Sequence, residues 1–181
     1  GWKVGSDGIR EKDGQQLTVT FPVSTNQSVP AERSLFQQIQ ASEKAVGFKV
    51  VLDELDLSSW YAALAANEYD VVSAPYTKVG PDVLRILYDS ASIEPAPSGY
   101  FANLAQLDDP ALDRLLEQAA RTSDADERAD LYEQAQKAIL ASDTVLPLYD
   151  QQNHFLVRSA VHGIRTTPVS TPWFGTAWID R

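Results

Sequence analysis

Asn26, Gln27, Pro75, Tyr76, Thr77 and Lys78 are the residues whose types and spacing could do chemistry. They fall in two short polar stretches, Ser24 to Ser28 and Ala74 to Lys78. Together they offer amide donors and acceptors, a hydroxyl, an aromatic face and one cation. That set suits holding a polar solute better than transforming it. An enzyme needs a convergent acid, base or nucleophile, and only a lysine and hydroxyls are found here. Lys78 could form a Schiff base, but nothing in the sequence lowers its pKa. The stretch Ser24 to Ser28 holds no glycine, so the backbone cannot cradle a pyrophosphate there. His154 and His162 are eight residues apart and sit in no HExxH pattern. They read as surface or partly buried polar residues. No GxSxG elbow is present. Asp53 and Glu54 are neighbours on a predicted strand and point to opposite faces, a poor acid–base pair. No catalytic residue, metal site or cofactor is expected.

The elements that must position these loops follow from periodicity. Leu17, Val19, Phe21 and Val23 alternate with Thr18 and Thr20, which predicts a strand. Pro30 suits the first position of a helix whose face is Leu35, Phe36, Ile39, Ser42 and Val46, closed by Gly47. Phe48 to Leu55 reads as a second strand. Asp56 or Ser58 can cap a helix with Trp60 and Leu64 inward, and Tyr61 is placed with the core. Asp70 to Ala74 reads as a third strand, and Gly1 to Gly14 as an irregular lead-in. This β-α-β-α-β order favours a parallel sheet with right-handed crossovers, which binds ligands at the carboxyl ends of its strands. Those ends are Ser24 to Ser28, Asp56 to Ser59 and Ala74 to Lys78.

The second half is helical first. Asp109 before Pro110 is a cap followed by a first-turn proline. Leu112, Leu115, Leu116 and Ala119 form its buried stripe. Asp124 and Glu127 resemble a capping box, ahead of a stripe of Leu131, Tyr132, Ala135, Ala138 and Ile139. Val145 to Tyr149 and Phe155 to Val157 read as short strands. An interaction module built on the helical pair 109–142 is a competing reading, and a small α/β enzyme is another.

Composition sets the bounds. The chain has 181 residues and a formal charge of −10, with 25 acids against 15 bases. It shows no basic run, which argues against nucleic acid. It has no Cys, which excludes disulfides and thiolate chemistry. No apolar run approaches the ~20 residues a membrane helix needs. It has no Met, even at position 1, so it is expected to be a piece of a longer protein.

Several ordered stretches resemble the extracellular solute-binding proteins of family 5, the dipeptide, oligopeptide and nickel-binding group. Gly1-Trp2-Lys3 with Asp7-Gly8-Ile9-Arg10-Glu11-Lys12-Asp13-Gly14 resembles that family's "GW…DGvrekdGkpL" segment. The likeness continues through Leu17-Thr18-Val19, Tyr69-Asp70-Val71 and Gly80-Pro81-Asp82-Val83-Leu84. It includes Asp113 with Leu116, Asp126 and Arg128 with Leu131-Tyr132, Leu146-Pro147-Leu148-Tyr149 and Val161-His162-Gly163.

The resemblance implies an α/β lobe of the periplasmic-binding-protein type II kind, a mostly parallel sheet flanked by helices. Residues 1–163 would be the carboxy-terminal lobe of a two-lobe protein, and 164–181 a tail packing on the missing amino-terminal lobe. It implies a peptide-like or other small polar solute and an ABC permease as partners. It places the protein at the extracellular face of the membrane, lipid-anchored, or in a periplasm. Peptide-binding members of the family carry a Trp and an Asp in the loop after the third strand, the Asp pairing with a peptide amino terminus. Ala74-Pro75-Tyr76-Thr77-Lys78-Val79 has neither, and Gly80 stands where the family has Asp. A lysine repels a cationic amino group, so the expected solute is anionic or neutral, or a longer peptide read mainly by the other lobe.

Overall fold

The computed structural model describes residues 1–74, 76, 80–95, 102–150, 152 and 154–180. They fall into two units, residues 1–75 and 76–181.

The first unit opens on an antiparallel meander where an irregular lead-in was expected: β1 Lys3–Val4, β2 Arg10–Lys12 and β3 Gln15–Gln16. The two-residue loop between β2 and β3 is Asp13-Gly14, with φ of 52° and 79°. Positive φ at both positions defines the hairpin turn whose twist matches its strands. The strands are short and polar, so no apolar alternation announced them.

Next come β4 Thr18–Ser24, α1 Pro30–Ala45 and β5 Lys49–Leu55. β4 and β5 pair in parallel from Thr18↔Lys49 to Ser24↔Leu55, with α1 as the crossover. Their core is Phe21, Val23, Phe36 and Val50, and the rings of Phe21 and Phe36 meet at 4.9 Å. Arg10 Nε donates to Val46 O at 2.9 Å, which satisfies a carbonyl left open at the helix end. Asp56 then caps α2 Leu57–Ala65, accepting from Ser58 N and Ser59 N. Trp60, Ala63 and Leu64 are buried, and Trp60 Nε1 donates to Pro22 O at 3.3 Å.

The expected third strand is not formed among the described residues. Asp70 N and Val71 N both donate to Thr20 O, while Thr20 N donates to the Asp70 carboxylate at 2.7 Å. A side chain thus takes the place a strand carbonyl would hold. Two residues on, Pro22 has no N–H to offer a ladder, and its carbonyl is engaged by Trp60. The sheet edge is closed chemically after one rung.

The second unit contains α3 Val83–Tyr88, a 3-10 turn Ser90–Ser92, α4 Pro110–Arg121 and α5 Ala125–Ala141. Asp109 and Asp124 cap α4 and α5. Glu127 accepts from Thr122 Oγ1 at 2.8 Å. The bond that would complete a capping box, from the Asp124 amide N–H to the Glu127 carboxylate, is not found among the described residues. Leu112, Leu116 and Ala119 of α4 interlock with Tyr132, Ala135 and Ile139 of α5. The apolar stripes of the helical pair are therefore used against each other. Asn103 is 2 % exposed and bridges Asp89 O and Leu107 O through its amide nitrogen.

Two small antiparallel pairs follow. β6 Val161–His162 pairs with β9 Trp178–Ile179, and β7 Arg165–Thr166 pairs with β8 Pro172–Trp173. Gly163 has φ 74°, and a Cβ there would meet Thr176 O at 2.1 Å, so no other residue fits. Among the described residues 145–149 and 155–157 form no strand. Val145 packs against the α4–α5 core, but Leu146, Leu148, Tyr149, Phe155, Leu156 and Val157 lie exposed, Leu156 fully so. Alternation makes a strand only where a neighbouring strand pairs with its backbone groups.

Candidate functional site

The carboxyl ends of β4 and β5 meet as expected. Thr25 N donates to Leu55 O at 2.9 Å, and Thr25 Oγ1 donates to the same carbonyl at 3.1 Å. Asn26 Oδ1 accepts Leu57 N at 3.0 Å. The loops 24–28 and 56–59 therefore form one surface. Asn26 has a structural task on it, holding the first amide of α2. Gln27 is exposed, its backbone N–H tied to Ser24 Oγ at 3.3 Å. Arg33 donates to Thr25 O at 2.8 Å and braces the loop from α1.

Asp56 accepts Ser58 N at 2.9 Å and Ser59 N at 3.0 Å. The Ser59 amide, followed by the Ser59 hydroxyl, holds its carboxyl below the usual carboxylate range.

A small hollow opens on this surface, lined by Ser24, Gln27, Ser28, Glu32, Trp60 and Ser73, with Phe36 at its floor. Ser73, which precedes the third polar stretch, also lines this hollow. Tyr76 opens the second unit and is exposed. Pro75, Thr77 and Lys78 lie outside the described residues. The structure thus brings Asn26 and Gln27 together. It adds Tyr61, which sequence reasoning placed in the core: Tyr61 is exposed, and its hydroxyl is 3.5 Å from Gln27 Nε2. The 3.6-residue period could have revealed this, since Tyr61 follows the buried Trp60 by one position, about 100° around the helix.

A larger hollow of about 460 Å³ lies at the opposite, amino end of the strands, beside Asp7, Gln16, Lys44 and Lys49. Three of its polar residues, Asp7, Gln16 and Lys49, pair with one another. Gln16 Nε2 donates to Asp7 Oδ2 at 2.7 Å and Lys49 Nζ to Gln16 Oε1 at 3.0 Å. The Ile9 amide, more than Gln16, keeps the Asp7 carboxyl below its usual range. Size alone would favour this hollow, but strand-end chemistry favours the smaller one.

His154 is exposed, and His162 Nε2 lies 2.8 Å from Asp180 Oδ2 while its ring stacks on Trp178 at 4.4 Å. No group of three metal-ligating side chains occurs among the described residues. No helix among them is long and apolar enough to cross a membrane.

The fold matches solved solute-binding proteins. The oligopeptide-binding protein AppA of Bacillus subtilis, solved with a nonapeptide, superposes with a TM-score of 0.81. The match covers all of this chain and 35 % of that one, at 20 % identity. The fold is therefore that of a type II periplasmic-binding-protein lobe, α/β with a parallel strand pair. By sequence, Protein XP55 of Streptomyces lividans is 32 % identical over 142 residues, covering 78 % of this chain and 25 % of that protein. The dipeptide-binding protein of Pseudomonas aeruginosa is 26 % identical over 170 residues, covering 91 % of this chain and 31 % of that protein. No family model matches the chain. Sequence relatives at 25–26 % identity include dipeptide- and di/tripeptide-binding proteins of Pseudomonas aeruginosa, the kind of protein that the ordered motifs of the chain resemble. The chain spans between 25 % and 32 % of the length of the curated relatives it matches.

Proposed function

We propose that this chain supplies one wall of a solute site in a two-lobe binding protein, which carries a peptide-like or other small polar solute to an ABC permease. The observation that supports this reading most is the convergence of loops 24–28 and 56–59 at the carboxyl ends of a parallel pair, in a homologue of dipeptide-binding proteins. Asn26, Gln27, Pro75, Tyr76, Thr77 and Lys78 are the proposed contacts. Residues 1–163 act as the carboxy-terminal lobe. The tail 164–181 packs on the amino-terminal lobe, which covers the exposed Trp173, Phe174 and Trp178.

Solute bridging two lobes stabilises the closed form, and the permease reads that form. The chain acts by binding and not by catalysis, since its strand-end surface carries amides, hydroxyls and capped carboxylates. The working location is the extracellular face of the membrane or the periplasm. Mass spectrometry of the longer protein, purified gently and then denatured, tests the reading. A released peptide or small polar molecule is expected. A covalently modified side chain or a turned-over product in its place would count for an enzyme.

A further inference from the structure

Tyr61 stands at the strand-end surface on a fixed base. Its ring meets Trp60 edge-on, with centroids 5.0 Å apart and planes at 70°. Trp60 is itself buried and donates to Pro22 O. The 3.5 Å contact from Gln27 Nε2 to the Tyr61 hydroxyl is at the outer limit of a hydrogen bond, so it orients the ring without locking it. Tyr61 is nevertheless 49 % exposed. A large, held aromatic left open to solvent costs little entropy when it takes up a partner.

The charged groups around it are already engaged. Leu57 N is taken by Asn26 Oδ1, and Ser58 N and Ser59 N by Asp56 Oδ1. The helix end that would otherwise attract an anion is filled by the protein's own oxygens, one of them anionic. Asp56 also accepts Ser59 Oγ, and Glu32 accepts Val29 N at 2.9 Å, so both carboxylates are already turned toward the protein's own donors.

Resting on the binding reading above, we propose that Tyr61 and Gln27 form a specificity platform for a planar, uncharged amide group of the solute. An amide plane stacks on the phenol ring, and its N–H and C=O pair with the carboxamide of Gln27. This surface therefore reads the body of the solute and not a charged terminus.

Amide and aromatic NMR of the 181-residue chain tests this at millimolar ligand, where half a site still registers. The probes are N-acetyl-trialanine amide, glutarate and putrescine, which are neutral, anionic and cationic. The neutral probe is expected to shift the Tyr61 ring and Gln27 side-chain signals, and the charged probes to leave them in place. Tyr61→Ala should weaken the neutral probe about fivefold to tenfold, and Tyr61→Phe should stay within about twofold. Circular dichroism checks that each variant is folded, and Gln27→Ala provides a second variant that spares the helix. Equal shifts from glutarate or putrescine overturn the proposal, as does an unchanged Tyr61→Ala. Shifts elsewhere on the strand-end surface, with none at Tyr61, overturn it while leaving the binding reading in place. No shift from any probe overturns it as well, and the solute carried by the longer protein then decides the binding reading separately.

Discussion

Residues 1–75 and 76–181 handle polar side chains in opposite ways. In the first unit they gather at the ends of strands and face water: Asn26, Gln27 and Asp56 are all exposed. In the second they turn inward and fasten loops to helices. Asn103 joins Asp89 to Leu107. Asp113 takes both the amide and the hydroxyl of Ser90, at 3.0 and 2.6 Å. Tyr132 donates to Asp82 at 2.5 Å. A polar group satisfied inside the fold makes a scaffold, whereas one at an exposed loop with donor or acceptor sites still facing water keeps capacity for a ligand. On the proposed reading, recognition lies at the first unit's strand ends and rigidity in the second unit's helical pair.

The largest expected effect would break the scaffold. Leu116 is 0 % exposed between the two helices, so Leu116→Ala should cost about 2–5 kcal/mol, read as lost hydrogen-exchange protection in α4 and α5. Removing the cap at Asp109 should cost about 1 kcal/mol by the same measurement.

Tyr132→Phe sharpens the comparison through pH. Burial first, and then the bond to Asp82, push the Tyr132 hydroxyl up from 10.0 to about 12. A folded-state pKa above the unfolded one stabilises below pH 10 and loses that contribution as pH rises to about 12. Denaturation between those values should therefore steepen in the wild type and flatten in Tyr132→Phe, with about 1 kcal/mol lost below pH 10.

On the other unit the sign reverses. Asp56 is depressed below 3.8 by the Ser59 amide and hydroxyl, so its contribution is present above pH 3.8 and is lost as pH falls through the lowered value. Asp56→Asn should soften that acid response in β5 and α2, by less than the alkaline effect. The smallest signal is optical. Iodide should quench Trp173 and Trp178 in this chain, both about half exposed, and quench them less in the longer protein.

Much of this was legible. Strands 18–24 and 49–55 followed from alternation and β-branching, and three helices declared themselves by an aspartate at the cap. What escaped is physical. The meander is written in one Asp-Gly pair among polar residues. Asp70 and Pro22 replace a strand ladder with side-chain and indole bonds that periodicity does not encode. Of the site, Asn26 and Gln27 were read from loop chemistry. Asn26's role as a cap for α2 depends on loop geometry, and Tyr61 was hidden by standing beside a buried Trp in the same helix.

Calorimetric titration of a peptide mixture into this chain and into the longer protein that contains it tests the central claim most directly. One wall of a two-walled site should bind at least about 100-fold more weakly than the whole, because closure supplies the second set of contacts and excludes water. Micromolar affinity in the longer protein with little or none in this chain is the predicted result. Equal micromolar affinity in both would contradict it, since the site would then be complete within these 181 residues.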